Sequence, residues 1–107
     1  MIDWSRAMEL REEIGADDFE EVVEIFLEEV EGVLDKLRTG DKSQLEQDLH
    51  FLKGSALNLG FRQFSNLCQE GERASSQGDS ASVDLGIILK LYDESKAVFL
   101  EELPSHC

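Results

Sequence analysis

The stretch Leu45-Glu46-Gln47-Asp48-Leu49-His50-Phe51-Leu52-Lys53-Gly54-Ser55-Ala56-Leu57-Asn58-Leu59-Gly60 reads as one amphipathic helix closed by a glycine. At about 100° per residue, Leu45, Leu49, Leu52, Ala56 and Leu59 gather into a single apolar stripe. His50 points about 140° away from the middle of that stripe. Lys53 comes one turn later on the side of His50, and Gly54 and Leu57 line up there too. A glycine inside a helix costs about 1 kcal/mol relative to alanine. Here it clears space beside the imidazole for a phosphate or another protein's backbone. A solvent-facing imidazole with a cation beside it and no bulk over it suits a phosphoryl group.

The same periodicity runs outward in both directions. A short helix is expected from about Asp3 to Glu13, with Trp4, Ala7, Met8 and Leu10 as apolar positions and Gly15 as its stop. Asp17 or Asp18 caps the next helix, which carries Phe19, Val22, Val23, Phe26, Val30, Val33, Leu34 and Leu37 at three- and four-residue spacing up to Arg38. Asp41 and Gln44 have the spacing of a capping box for the His50 helix, which ends at Leu59 with Gly60 as its C-cap. A fourth helix spans about Arg62 to Gln77, with a stripe of Phe64, Leu67, Cys68, Gly71 and Ala74. Gly78-Asp79 supplies a stop and a cap, a fifth helix spans about Ala81 to Leu103, and Pro104 prevents its continuation. No strand alternation, internal repeat or low-complexity linker interrupts this order. Short connections make neighbouring long helices antiparallel. The expectation is an all-α single domain over residues 1–107: an up-down-up-down four-helix bundle with a short N-terminal helix laid across one end.

Charge excludes several function classes. Ten Lys and Arg face 24 Asp and Glu, a net charge of -14, which argues against nucleic acid and anionic membrane surfaces as partners. A docking face for an acidic partner must then be locally apolar or mixed. No apolar run reaches the length of a membrane span, and Met1-Ile2-Asp3-Trp4-Ser5-Arg6 lacks a signal-peptide pattern, so the cytoplasm is expected. Cys68 lies on an apolar stripe far from Cys107, so no structural disulfide is expected. Zinc spacings are absent, and His106-Cys107 has too few partners for a metal site. The acidic residues Glu20, Glu21, Glu24, Glu28, Glu29 and Glu31 read as a solvated helix face.

Written as H-x-L-K-G-S-A-x-x-L-G, the run from His50 to Gly60 resembles the phosphorylation motif of histidine phosphotransfer (HPt) domains, the His-containing four-helix bundles of multistep phosphorelays. The matching residues are His50, Leu52, Lys53, Gly54, Ser55, Ala56, Leu59 and Gly60. Phe64, Leu67, Cys68 and Glu72 follow at family-like spacing, and Asp3-Trp4 and Asp17-Asp18-Phe19 also fit, so the resemblance covers nearly the whole chain.

The resemblance implies that His50 is the phosphoryl-accepting nucleophile, working through Nε2 on a group carried by a receiver aspartate. It implies response-regulator receiver domains and a hybrid sensor histidine kinase as partners. Lys53 would support the phosphoryl oxygens electrostatically; its bland reading is a solvated helix lysine paired with a nearby acid. Glu72 matches a position that often carries Gln or Glu in the family, at the edge of the fourth helix's stripe. A carboxylate there would accept the Nδ1 proton and orient the imidazole; otherwise Glu72 is one boundary acid among many. Ser55 and Gly60 read as packing and capping residues. The family also implies an apolar docking patch near the histidine, for which Phe51, Gly54, Leu57, Leu10, Phe19 and Val23 are the candidates. Phe19 and Val23 equally suit plain core, and Phe51, about 100° from His50 and off the core stripe, is the best exposed candidate.

The chain shows no P-loop, kinase signature or acidic metal pocket. It is therefore expected to act as a phosphocarrier with no intrinsic cofactor, the magnesium ion and catalytic lysine sitting on the receiver. A monomer is the simplest expectation. A rival of another class has the same fold: an adaptor bundle that docks on a receiver or kinase and inhibits it without phosphotransfer. The His50-Lys53-Gly54 set favours the carrier, because an adaptor has no need of the histidine.

Overall fold

The computed structural model describes residues 2–106 and is built from five α-helices. They are α1 (Trp4–Ile14), α2 (Ala16–Arg38), α3 (Leu45–Leu59), α4 (Arg62–Ser76) and α5 (Leu85–His106), with a short 3-10 turn at Ser80–Ser82. The expectation for Cys107 lies outside the described residues. Among the described residues no helix is long and apolar enough to cross a membrane.

The helices α2 to α5 form an antiparallel bundle, and α3 packs chiefly on α4. At 1.5 Å per residue, α2 and α5 are about 35 Å long, whereas α3 and α4 are only about 22 Å. The molecule extends 42 Å along its main axis. The start of α2 and the end of α5 therefore run past the α3–α4 turn, and α1 lies across the apolar surface this leaves. Its Ala7 and Leu10 are buried there. Trp4 stacks on Phe99 of α5 with ring centroids 5.3 Å apart, and the Asp3 amide donates to the Gly60 carbonyl at 2.6 Å.

The core is the set of stripes legible in the sequence. Phe19, Val23, Val30, Leu34 and Leu37 of α2, with Leu49, Leu52, Ala56 and Leu59 of α3, are buried against Phe64 and Cys68 of α4 and Ile88, Tyr92 and Phe99 of α5. Burial pushes the Cys68 thiol up to about 12, so it stays protonated as a small core residue. Polar ties fix the helices laterally. Glu31 of α2 accepts from Tyr92 at 2.8 Å and from Lys96 at 2.5 Å on α5, and Lys36 of α2 pairs with the buried Asp48 of α3 at 2.8 Å.

Several local expectations are corrected. Leu10, Phe19 and Val23, candidates for an exposed collar, are only 7%, 3% and 3% exposed, because α1 and the end of α5 close over them. Pro104 does not stop α5, which continues to His106. So near the end, proline removes one backbone bond to the Leu100 carbonyl. The His106 ring, stacked on Trp4 with centroids 3.9 Å apart, holds the last turn in place.

Neither Asp79 nor Ala81 starts α5. The chain makes its 3-10 turn first, and Asp84 Oδ1 then accepts from the Ile87 amide at 3.1 Å as the true N-terminal cap. The Asp41–Gln44 capping box does not form. Asp41 accepts from the amide and hydroxyl of Ser43 at 3.1 and 2.6 Å, a local Asx turn ahead of α3. Gly15, at φ 92°, takes the cap position of α2, and Asp17 and Asp18 sit in its first turn, where negative charge meets the positive end of the helix dipole.

Candidate functional site

The site lies where α3 and α4 run side by side. Their close approach has a specific cause: Gly71 on α4 faces Leu49 on α3, and a Cβ at Gly71 would lie 2.9 Å from Leu49 Cδ1. The missing side chain lets the two helices come together at this level. The buried Ser65 hydroxyl adds a second tie, donating to the Lys53 carbonyl at 3.0 Å. Glu72, one residue after Gly71, is thereby carried to the edge of α3.

There the Glu72 carboxylate meets the His50 imidazole. Its two oxygens lie 3.0 and 3.1 Å from Nδ1, a contact across 22 residues of sequence. A carboxylate accepts here, so in the neutral ring Nδ1 carries the proton and Nε2 is left with its lone pair. The His50 side chain is 70% exposed, so the ring is open to a partner. Lys53 Nζ also reaches Glu72, at 3.3 Å from Oε1 and 3.1 Å from Oε2. In the resting site the lysine is thus paired with an acid. Partial burial works to raise the Glu72 carboxyl, but the hydrogen bonds from His50 and Lys53 outweigh it and hold the group below the usual glutamate range. Glu72 is consequently an anion throughout the neutral range.

Space around the ring is clear on the C-terminal side. A Cβ built at Gly54 meets nothing within 4 Å. Phe51 and Leu57 are 38% and 52% exposed on the same outer surface of α3. Ser55 is half-buried and Gly60 is the left-handed C-cap at φ 86°. On the N-terminal side, Glu46 and Gln47 line a shallow open cleft with His50 and Glu72. Sequence reasoning passed over Glu46, although it lies one turn before His50 on the same face. Ser65 carried no such signal, because its partner is a backbone carbonyl on another helix.

Among the described residues no group of three or more His, Cys, Asp and Glu side chains gathers to hold a metal ion. The arrangement is that of a nucleophile presented on a rigid helix: one ring nitrogen is anchored, the other is free, and a cation and an anion stand beside it. No curated protein and no solved structure matches the chain. A family model for the Hpt domain, however, matches residues 21–105. It takes in all of α3 and α4 and leaves out only α1 and the chain's two ends. With most of its length matched, the chain belongs to the Hpt domain family, the histidine-phosphotransfer modules of phosphorelays.

Proposed function

We propose that His50 accepts a phosphoryl group from a receiver-domain aspartate and passes it to a second receiver aspartate. The observation that supports this most is the exposed imidazole anchored at Nδ1 by Glu72, which leaves Nε2 as the nucleophile. Phosphoryl transfer needs positioning and charge neutralisation more than covalent machinery. The receiver supplies the magnesium ion and the lysine that neutralise the acyl phosphate. A hybrid sensor histidine kinase feeds the relay from upstream. Phe51 and Leu57 offer the apolar contacts flanking the histidine, on a chain whose net charge of -14 opposes acidic partners elsewhere. The test is to incubate the protein with phosphorylated receiver domains of hybrid kinases. Acid-labile, base-stable label on the chain is expected, and binding without label would instead favour the adaptor.

Gly54→Glu is expected to block this transfer while the helix persists. The position lies about 40° from His50 around the helix. Its surroundings are open, so a longer side chain fits the fold but stands in the partner's path. Its charge also repels the phosphoryl group. Circular dichroism should match wild type, and unchanged transfer kinetics would show that the receiver does not approach over that face.

Lys53→Ala is expected to act on the phosphorylated state more than on partner binding. An exposed ion contact is usually worth about 0–1 kcal/mol, and a phosphoryl group carries nearly two charges. A loss of about tenfold in transfer rate or phosphohistidine lifetime corresponds to about 1.4 kcal/mol. The loss should shrink at high salt. Half-lives of wild type and variant at low and high salt provide the check, and equal values would make Lys53 a plain surface lysine.

A further inference from the structure

We propose that Glu72 keeps the proton on His50 Nδ1 while Nε2 carries the phosphoryl group, and so holds the phosphohistidine in its readily transferable form. The inference rests on His50 being the acceptor. Both Glu72 oxygens lie within 3.1 Å of Nδ1, so the carboxylate faces the one ring atom whose protonation changes the leaving group. The charges facing the ring are Glu72 from α4 and Glu46 and Lys53 from α3. Lys53 is spent on the Glu72 carboxylate rather than aimed at the ring. Two anions and one cation leave the surroundings of Nδ1 net negative, which favours a cationic ring.

The proton and electron account is closed. On loading, the Nε2 lone pair forms the N–P bond, the P–O bond to the donor aspartate breaks, and that carboxylate leaves with the electron pair. The ring is then an imidazolium, its Nδ1 proton accepted by Glu72. On discharge, an aspartate oxygen or water attacks phosphorus, the N–P pair returns to Nε2, and neutral imidazole leaves with the proton still on Nδ1. If Nδ1 lost its proton in between, the leaving group would be an imidazolate anion, and departure would slow. Glu72 is thus a positioning residue in the resting site and a proton-retaining one in the loaded site. It makes His50 a donor as well as an acceptor.

The experiment loads the full chain with phosphoramidate as a small-molecule donor and follows phosphohistidine hydrolysis against pH for wild type and Glu72→Gln. The glutamine side chain of that variant would still accept from Nδ1–H but without charge, so the orientation is kept and the ionic hold is removed. Loss of an opposite charge at this range shifts a titration by about one unit or more. The fall of the hydrolysis rate with rising pH should therefore begin about one unit lower in Glu72→Gln, and at about pH 8 its phosphohistidine should last about tenfold longer. This is opposite in direction to Lys53→Ala. Onward transfer to a receiver should show the same displaced pH profile, which a merely structural role would not move. Coincident pH profiles with His50 loaded in both proteins would overturn this proposal alone. Failure of wild-type His50 to take label from phosphoramidate and from phosphorylated receivers would overturn the underlying reading and this proposal with it.

Discussion

His50→Gln is expected to abolish phosphoryl acceptance while the bundle stays folded. The side chain is 70% exposed and faces away from the core, so its replacement opens no cavity. Substitutions at such surface positions usually change stability by within about 0.5 kcal/mol. Glutamine can still hydrogen-bond Glu72, which keeps the α3–α4 seam satisfied. What disappears is the nucleophile, and no neighbouring group replaces it: the sequence has one other histidine, His106, and that ring is stacked on Trp4. Labelled transfer and thermal unfolding measured on the same preparation separate the two effects. Uptake should fall to background with the melting curve unchanged, and His106→Gln should transfer normally. Retained uptake by His50→Gln would remove His50 from the role.

Gly60→Ala is expected to cause a large loss of stability. Two costs combine there. Gly60 has φ 86°, a conformation that costs an L-residue about 1–2 kcal/mol. An added Cβ would also collide with the Asp3 carbonyl oxygen, part of a backbone that cannot yield without moving α1. Displacing α1 sacrifices the Asp3 amide bond to the Gly60 carbonyl, worth about 1 kcal/mol. A total near 3 kcal/mol corresponds to a melting temperature lower by roughly 15 °C for a domain of this size. Gly40→Ala serves as the comparison: its φ is 88°, but nothing lies within 4 Å of the added carbon, so it should show only the backbone cost. Emission from Trp4, the sole tryptophan, reports the departure of α1 from Phe99. Equal melting temperatures for the two variants would show that the contact between α1 and the α3–α4 turn contributes nothing.

Glu72 and Leu10 mark how far the chain can be read without its structure. The helices, their order and the exposure of His50 are legible, because 3.6-residue periodicity is a local property of the backbone and needs no partner to be expressed. The family likeness rests on the same contiguous run. Local reading fails where a neighbour overrides it. Pro104 stays helical because Trp4 holds the turn beyond it, and Asp41 prefers Ser43 to the helix it precedes. Leu10, Phe19 and Val23 are on apolar faces in any reading, but a face has no label saying whether another helix or a partner will cover it. Here the overhang of α2 and α5 and the placement of α1 decide that they are core.

The contact that prepares the nucleophile is of this second kind. Periodicity puts His50 on the wet side of α3 and Glu72 at the border of the stripe on α4, but it does not say how closely or in what register two helices pack. That is settled by Gly71 against Leu49 and by the Ser65 hydroxyl on the Lys53 carbonyl, which together bring a carboxylate from 22 residues away to within 3.0 Å of Nδ1. An exposed histidine with a lysine one turn away is written along one helix, whereas the ring nitrogen left free to react depends on a side chain from another.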